Sequence, residues 1–552
     1  MKKTIQFSFL LLVFFFFSTP VLAQLDVPFD QFITERIEYY KQLKLNALEL
    51  QKQTGMSLRG TFDNYGEYEI MGYDGRRLYI YATHNSGGAI TSRTNRLYSN
   101  GGRGTSLTGN GYSKVAVWDG GKVRNTHQEI TGRITLGDGA STLSDHSTHV
   151  SGTIAATGLY ADAKGMAYQT SLTTYEWTDD LAEMTSAATN GLELSNHSYG
   201  YLTGWTYGYG GNPYWFWFGE VGLSTTEDYG FGYYGSESQE WDALAVSYPN
   251  YLIVKSAGND RGEGPTPGTG HYYWNGSWTW STATRNYDGN TLGYDCITDR
   301  GIAKNVLTVG AVNQVNNYNS ATDVVMSSFS GWGPTDDGRI KPDIVTKGVA
   351  CTSIVSSADN AYAIMNGTSM AAPNVTGSLV LLQQYYKSLH TNTPMKSATL
   401  KGLVIHTADE CGTNAGPDYQ FGWGLLNVDK AALLIQQDMI NTNVLQERSL
   451  SQGGSYTLEI VANGNEPLKV TICWTDPAAT PLSPALNNRT ARLVNDLDLR
   501  LTYSSSTYYP WKLDYSNPGN AATRSGENNI VNVEVVTIDN PVAGATRSEE
   551  RR

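Results

Sequence analysis

The apolar positions of this chain change their period twice. Phe29, Phe32, Ile33, Ile37, Tyr40 and Leu43 recur at helical spacing, and Gly55 closes that stretch. From roughly residue 110 to 435, short continuous apolar runs alternate with helical patterns. Val115-Ala-Val-Trp118, Tyr251-Leu-Ile-Val254 and Val306-Leu-Thr-Val309 read as strands buried on both faces. Residues 148–156, 181–191, 370–387 and 398–407 read as helices. Past roughly residue 440 the period becomes two, in Tyr456/Leu458/Ile460, Leu468/Val470/Ile472/Trp474, Leu497/Leu499/Leu501 and Val531/Val533/Val535. The pattern predicts an α/β fold with a doubly wound parallel sheet over residues 76–437. An all-β sandwich or jelly-roll domain is expected over 438–552. In a doubly wound sheet, chemistry belongs at the carboxyl ends of the strands.

The first 23 residues form a separate unit. Lys2 and Lys3 precede a run of Leu, Val and Phe, and Val21-Leu22-Ala23 has the small-residue form of a cleavage site. This reads as a secretory signal peptide, too short for a lasting membrane anchor, so the protein is expected to be exported, extracellular or periplasmic. Residues 24–75 then read as an N-terminal helical segment or a propeptide-like region.

Charge narrows the partners. The formal net charge is -13, and losing Lys2 and Lys3 with the leader makes it -15. Such acidity disfavours nucleic acid and anionic membranes. A monomer is expected. Cys296, Cys351, Cys411 and Cys473 are far apart and contain no C-x-x-C pair; an oxidising compartment permits disulfides among them, and zinc is not expected. Two aromatic stretches, 200–234 with Trp205, Trp215 and Trp217, and 271–280, read either as walls of a cleft or as long loops pinned by their own rings.

Asn366-Gly-Thr-Ser-Met-Ala-Ala-Pro373 carries the chemistry. It sets Ser369 between a glycine turn and an apolar helix, among small residues that allow close approach. A helix N-terminus supplies free N–H groups and a positive dipole end beside that hydroxyl. Alone, such a serine is a helix cap. A base and an acid change that reading. Asp119 ends the apolar run 115–118 ahead of two glycines, and His149 stands in Asp145-His-Ser-Thr-His149-Val-Ser-Gly-Thr153 among small residues. A carboxylate at a strand end can hold an imidazole in one tautomer and stabilise the imidazolium. His146 and His127 compete with His149 as base, and Asp145 with Asp119 as acid, but His149 has the small surroundings and Asp119 the strand end. Ser256-Ala-Gly-Asn259 places a side-chain amide at another strand end, fit to donate to an oxyanion. Ser195-Asn-His-Ser-Tyr-Gly200 supplies an edge for main-chain pairing with an extended peptide.

These residues resemble the subtilase family of serine peptidases, whose chain order is Asp, His, Ser. Val117-Trp-Asp119-Gly-Gly is similar to its aspartate motif, with Gly120 where Ser or Thr is commoner. His146-Ser-Thr-His149-Val-Ser-Gly-Thr is similar to its histidine motif, with Ser147 for the usual glycine. Ser256-Ala-Gly-Asn259 and Gly367-Thr-Ser369-Met-Ala-Ala-Pro373 match the oxyanion and serine motifs. The resemblance implies a secreted endopeptidase acting on polypeptides. Ser369 would be the nucleophile, His149 the base, Asp119 the orienter and Asn259 the oxyanion donor. Ser198, Tyr199, Gly200, Ser256, Ala257 and Gly258 would line the peptide cleft. Gly120 is expected to loosen hydrogen bonding at Asp119, and Ser147 to shift the histidine.

Val470-Thr-Ile-Cys-Trp-Thr-Asp476-Pro, Leu493-Val-Asn-Asp-Leu-Asp-Leu499 and Asn528-Asn-Ile-Val-Asn-Val-Glu534 resemble the C-terminal β-barrel of the oxidatively stable alkaline proteases. That branch implies structural calcium, and Asp496, Asp498 and Glu534 are oxygen donors of the right type. Two rivals explain less. An α/β-hydrolase needs its acid and histidine after the serine; a non-catalytic adhesin or carbohydrate binder uses the aromatic loops but leaves the ordered site residues unexplained.

Overall fold

The computed structural model describes residues 12–16, 28–62, 66–83, 88–441 and 444–551. Of the expected leader, Leu12–Phe16 falls among them, as a strand running parallel between Leu445–Arg448 and Leu468–Trp474. The expected cleavage site lies outside the described residues.

Seven parallel strands form the centre. Their spatial order is Ile344–Lys347, Leu307–Val312, Leu252–Ser256, Leu194–His197, Val115–Asp119, Leu172–Glu176 and Ile134–Leu136. Side-chain alternation sends Val115, Val117, Leu252 and Val254 to one face, against the helices Asp145–Ala155, Thr368–Leu389, Ser397–Thr407 and Val428–Asp438. Ala116, Trp118 and Ile253 face the other way, against Asp180–Thr189 and Ser236–Ser247. Both faces are apolar, as a helix-covered parallel sheet requires. After Leu172–Glu176 the chain crosses to the far side of Val115–Asp119. The strand order therefore reverses at the strand that ends in Asp119, where a ligand crevice opens in such sheets.

The N-terminal segment is docked on this body. Helix Phe29–Thr54 ends on Gly55, whose φ of 71° is the left-handed cap that glycine adopts without steric cost. Arg36 Nε and Tyr40 Oη both donate to the buried Glu240 carboxylate, at 2.5 and 2.6 Å. Beneath the helix runs an antiparallel sheet of Arg59–Phe62, Gly66–Tyr73 and Leu78–Thr83. Its fourth strand is Tyr199–Tyr201 of the catalytic body. The sheet thus continues beyond residue 75.

The two aromatic stretches pair with each other. Trp205–Tyr207, Trp215–Trp217, His271–Trp274 and Trp278–Ser281 make one four-stranded sheet. Trp205 and Trp217 are buried, and Phe216, Phe218 and Trp274 pack with Ala47, Leu50 and Ile70 of the N-terminal segment. Most of these rings pin their own loops.

Two four-stranded sheets, with Leu12–Phe16 as one strand and the other seven beyond residue 444, border an apolar cluster that includes Ile460, Val470, Ile472, Leu499, Leu501 and Val536. They are tied to the α/β body by Lys304, whose Nζ is buried against Asp476 and donates to Arg492 O at 2.9 Å. All four cysteines are buried, and no disulfide joins any two of them. Among the described residues no helix is long and apolar enough to cross a membrane.

Candidate active site

Asp119 is 1 % exposed, at the carboxyl end of the strand where the sheet order reverses. Its Oδ1 accepts from Gly120 N at 2.7 Å and lies 2.6 Å from Nδ1 of His146. The base expected from sequence is therefore misplaced by one helical turn. His149 is fully buried, with Nε2 3.3 Å from Ala363 O and Nδ1 without a partner. Burial, with His146 beside it, pushes its pKa down to about 3, so it is a neutral core residue. Helix geometry explains the difference. His146 is in the first turn of Asp145–Ala155, next to the strand ends, whereas His149 runs in with the buried Val150 and Ile154. Small neighbours at His149 signalled tight helix packing rather than access. Position relative to the helix start was the signal that distinguished the two. Asp145 is engaged elsewhere, accepting Ser356 N and Oγ, each at 2.7 Å.

The two departures from the motifs compensate each other. A Cβ on Gly120 would lie 2.7 Å from the Trp177 ring, so glycine is required there. Ser147 is an ordinary helical residue, contrary to the expectation that it strains the backbone. Its Oγ donates to Asp119 Oδ1 at 3.4 Å. A hydroxyl missing on one side of the carboxylate is supplied from the other.

Ser369 is the second residue of helix Thr368–Leu389. Four residues on stands Pro373, which has no N–H for the Ser369 carbonyl. That carbonyl accepts Ser198 Oγ instead, at 2.7 Å, while Ser369 Oγ donates to Ser198 O at 2.8 Å. The reciprocal pair fixes the serine turn to the end of strand Leu194–His197, which neighbours the Asp119 strand. Asn259 is bound to the same turn. Its Oδ1 accepts both Thr368 N (3.0 Å) and Thr368 Oγ1 (2.9 Å), so Nδ2 is the end left to donate.

The expected cleft residues divide. Gly200, Ser256, Ala257 and Gly258 lie on two neighbouring segments, with Ser256 Oγ donating to His197 O at 3.4 Å and Ala257 N to Val309 O at 3.0 Å. Tyr199 is different, because its side chain points into the core. It is 0 % exposed and donates to Asp180 Oδ2 at 2.9 Å, so only its backbone faces a ligand. That backbone is already paired: Thr83, Ala82 and Tyr81 lie antiparallel to Tyr199, Gly200 and Tyr201. The edge expected to receive an extended peptide holds one from its own chain, running toward Ser198 and Ser369. Nothing in the local sequence of 78–83 marks it for that role.

For metal, no group of three or more His, Cys, Asp or Glu side chains suited to one ion occurs among the described residues. The expected donors nevertheless keep buried, unpartnered oxygens: Asp496 Oδ1, Asp498 Oδ1 and Glu534 Oε1. Burial, with Glu527 and Asp496 nearby, pushes Asp498 up to about 6. Burial and the neighbouring carboxylates push Glu534 up as well.

Known proteins are similar to parts of this chain. The chain is 28 % identical over 214 residues to the serine protease/ABC transporter B family protein tagA of Dictyostelium discoideum, covering 33 % of this chain and 12 % of that protein. It is 39 % identical over 104 residues to C5a peptidase of Streptococcus pyogenes serotype M3, covering 19 % of this chain and 9 % of that one. Among solved structures, patellamide maturation protease PatA aligns with a TM-score of 0.41 at 20 % identity, over 60 % of this chain and 99 % of that chain. The matched segments are about a tenth of the curated relatives' length. The subtilase-family model matches residues 79–424, well over half the chain, and the protein belongs to the subtilase family.

Proposed function

We propose that this chain is an exported serine endopeptidase that cleaves polypeptides through an acyl-enzyme. The 2.6 Å contact between Asp119 Oδ1 and His146 Nδ1 carries the reading, because it leaves His146 Nε2 as the nitrogen that takes a proton. In the reaction, Ser369 Oγ attacks the scissile carbonyl and passes its proton to His146. Asn259 Nδ2 donates to the oxyanion, and the N-terminal end of helix Thr368–Leu389 adds its dipole. His146 then protonates the leaving amine as the C–N bond breaks, and water repeats the sequence to release the acid. Asp119 holds the imidazole and stabilises its charged form. Hydrolysis of a peptide library by the secreted protein tests this, with Ser369→Ala as control. Activity retained in Ser369→Ala, or no labelling of Ser369 by a serine-directed phosphonate, defeats it.

The strand Leu78–Thr83 supports a second part of the reading. It occupies the peptide edge and points toward Ser369, so the N-terminal segment is an inhibitory propeptide removed by a cut within the few residues after Thr83. Mass spectrometry of the wild-type and Ser369→Ala N-termini checks this. An N-terminus after Thr83 in the active protein alone is expected; identical termini in both speak against self-processing.

Calcium belongs to the same reading, with the β domain taken as a jelly-roll of the alkaline-protease branch. The orphaned oxygens of Asp496, Asp498 and Glu534 suit a hard cation whose shell is completed by carbonyls and water. The ion would supply structural charge neutralisation and take no part in peptide hydrolysis.

A further inference from the structure

The strand register assigns a face to each substrate position. Tyr199 sends its side chain into the core toward Asp180, so Gly200, next along the strand, faces the other way. Ala82 lies opposite Gly200 and Thr83 opposite Tyr199, and opposed residues of an antiparallel pair share a face. A substrate in the same register returns to the Gly200 face at its next residue, the one opposite Ser198. Ser198 O accepts Ser369 Oγ at 2.8 Å, so that residue is the one whose carbonyl Ser369 attacks in the proposed reaction.

Two opposite charges meet on that face. A Cβ built on Gly200 would lie 3.4 Å from Lys255 Nζ and 3.8 Å from Asp299 Oδ2. A longer side chain at 200 would project onto the pair, and glycine leaves the approach from the cleft open. Lys255 is 3 % exposed; its Nζ donates to Ser256 O at 3.0 Å and to Ser256 Oγ at 3.5 Å, which leaves one of its three N–H groups. The Asp299 side chain is 0 % exposed, with Oδ1 3.3 Å from Arg300 Nη1 and Oδ2 without a hydrogen-bond partner. Its backbone is held at a φ of 60°, and its carbonyl accepts Ser238 Oγ at 2.9 Å. Burial pushes the Lys255 amine down to about 8, and Asp299 offsets part of that shift.

A buried carboxylate oxygen without a partner is costly, and so is an ammonium short of acceptors. A cationic substrate side chain on this face would meet Asp299 together with Lys255 and Arg300. An anionic one would meet Lys255 together with Asp299 and with Asp260, whose Oδ2 lies 2.8 Å from a Cβ built on Gly258. Either full charge gains one partner, is opposed by its like, and loses its hydration. A carboxamide accepts through its oxygen and donates through its NH₂, so it serves both groups and brings no charge. Resting on the endopeptidase reading, we propose that Lys255 and Asp299 select glutamine or asparagine as the residue before the cut. Lys255 donates to the carboxamide oxygen, and Asp299 Oδ2 accepts from the carboxamide NH₂. An apolar residue of similar size leaves both buried groups unserved.

The test is a set of fluorogenic peptides, alike except for Gln, Asn, Leu, Lys or Glu before the scissile bond, given to the secreted protein. Gln or Asn should exceed Leu, Lys and Glu by at least about tenfold in kcat/KM. Equal or better cleavage after Leu, Lys or Glu overturns this inference and leaves the endopeptidase reading standing. No hydrolysis of any peptide and no phosphonate labelling of Ser369 overturns that reading, and this one with it. Two variants then assign the roles. Asp299→Asn removes the anion, so the Glu-to-Gln ratio of kcat/KM should rise by about tenfold; Lys255→Met removes the cation, so the Lys-to-Gln ratio should rise by as much. A merely structural role lowers all five peptides together, and unchanged ratios in folded variants overturn the assignment. If near-UV circular dichroism shows that the variants do not fold, the ranking by the unmodified protein decides.

Discussion

Exchanging the two histidines of the motif one at a time separates base from core residue. In His146→Ala the imidazole facing Asp119 Oδ1 is gone, and with it the proton acceptor proposed for Ser369. Removing the base alone costs subtilisin about 2 × 10⁶ in kcat, the handle on this family's arithmetic. At about 1.4 kcal/mol per tenfold, that is roughly 8–9 kcal/mol of barrier. His149→Leu removes an Nε2–H donor 3.3 Å from Ala363 O and also removes a buried nitrogen without a partner. A long neutral hydrogen bond contributes about 1 kcal/mol net, and deleting the orphan offsets part of it. The shift in Tm should be about 4 °C or less, and kcat/KM should stay within about tenfold. The assay pairs steady-state hydrolysis of a chromogenic peptide with a thermal melt on each variant. A His149→Leu protein with an unchanged Tm and a loss beyond about 10³ refutes the assignment, because such a loss is of catalytic rather than packing size. Undiminished hydrolysis by His146→Ala refutes it equally.

Three further outcomes follow from the geometry. Asn259→Ala should lower kcat by about 10²–10³ with KM little changed, and Thr368→Val by a smaller factor, since it frees one of the two anchors on Asn259 Oδ1; a pure KM effect argues against an oxyanion role. Gly120→Ser should cost about 1–3 kcal/mol through collision with Trp177, read as a lower Tm; a neutral result means that Trp177 moves freely. His149, with a folded pKa of about 3 against about 6.5 unfolded, binds fewer protons in the fold. Its stabilisation is therefore present above pH ~6.5 and lost as pH falls toward ~3. His149→Leu should flatten that acid slope in pH-dependent melts, and an unchanged slope assigns the acid sensitivity to His197 and His406, which burial shifts in the same direction.

The sheet was readable because strands buried on both faces leave uninterrupted apolar runs. Val115–Trp118 and Tyr251–Val254 each feed both core clusters. Asp119, Ser369 and Asn259 were readable because each sits where an apolar run meets glycine. Between His146 and His149, composition within the motif pointed to the wrong residue, whereas position at the helix start, which brings a side chain to the strand ends, belongs to His146. Tyr199 looked like a cleft residue by position, but its hydroxyl finds Asp180 in the core. The pairing of Trp215–Trp217 with His271–Trp274 joins stretches more than fifty residues apart, and local pattern carries no register information over that span. Likewise, 78–83 is a short strand whose partner, Tyr199–Tyr201, is what makes it consequential.

That pairing has a consequence for how dose and activity relate. While the peptide link after Thr83 is intact, strand and edge belong to one molecule, so their contact is governed by an effective concentration that dilution cannot change. The cut proposed there would turn the same contact into a two-body equilibrium, in which the released segment competes at its real concentration. Before the cut, the blocked fraction is the same at any protein level. After it, dilution alone unblocks the site, and a dense population of molecules keeps itself in check longer than a sparse one.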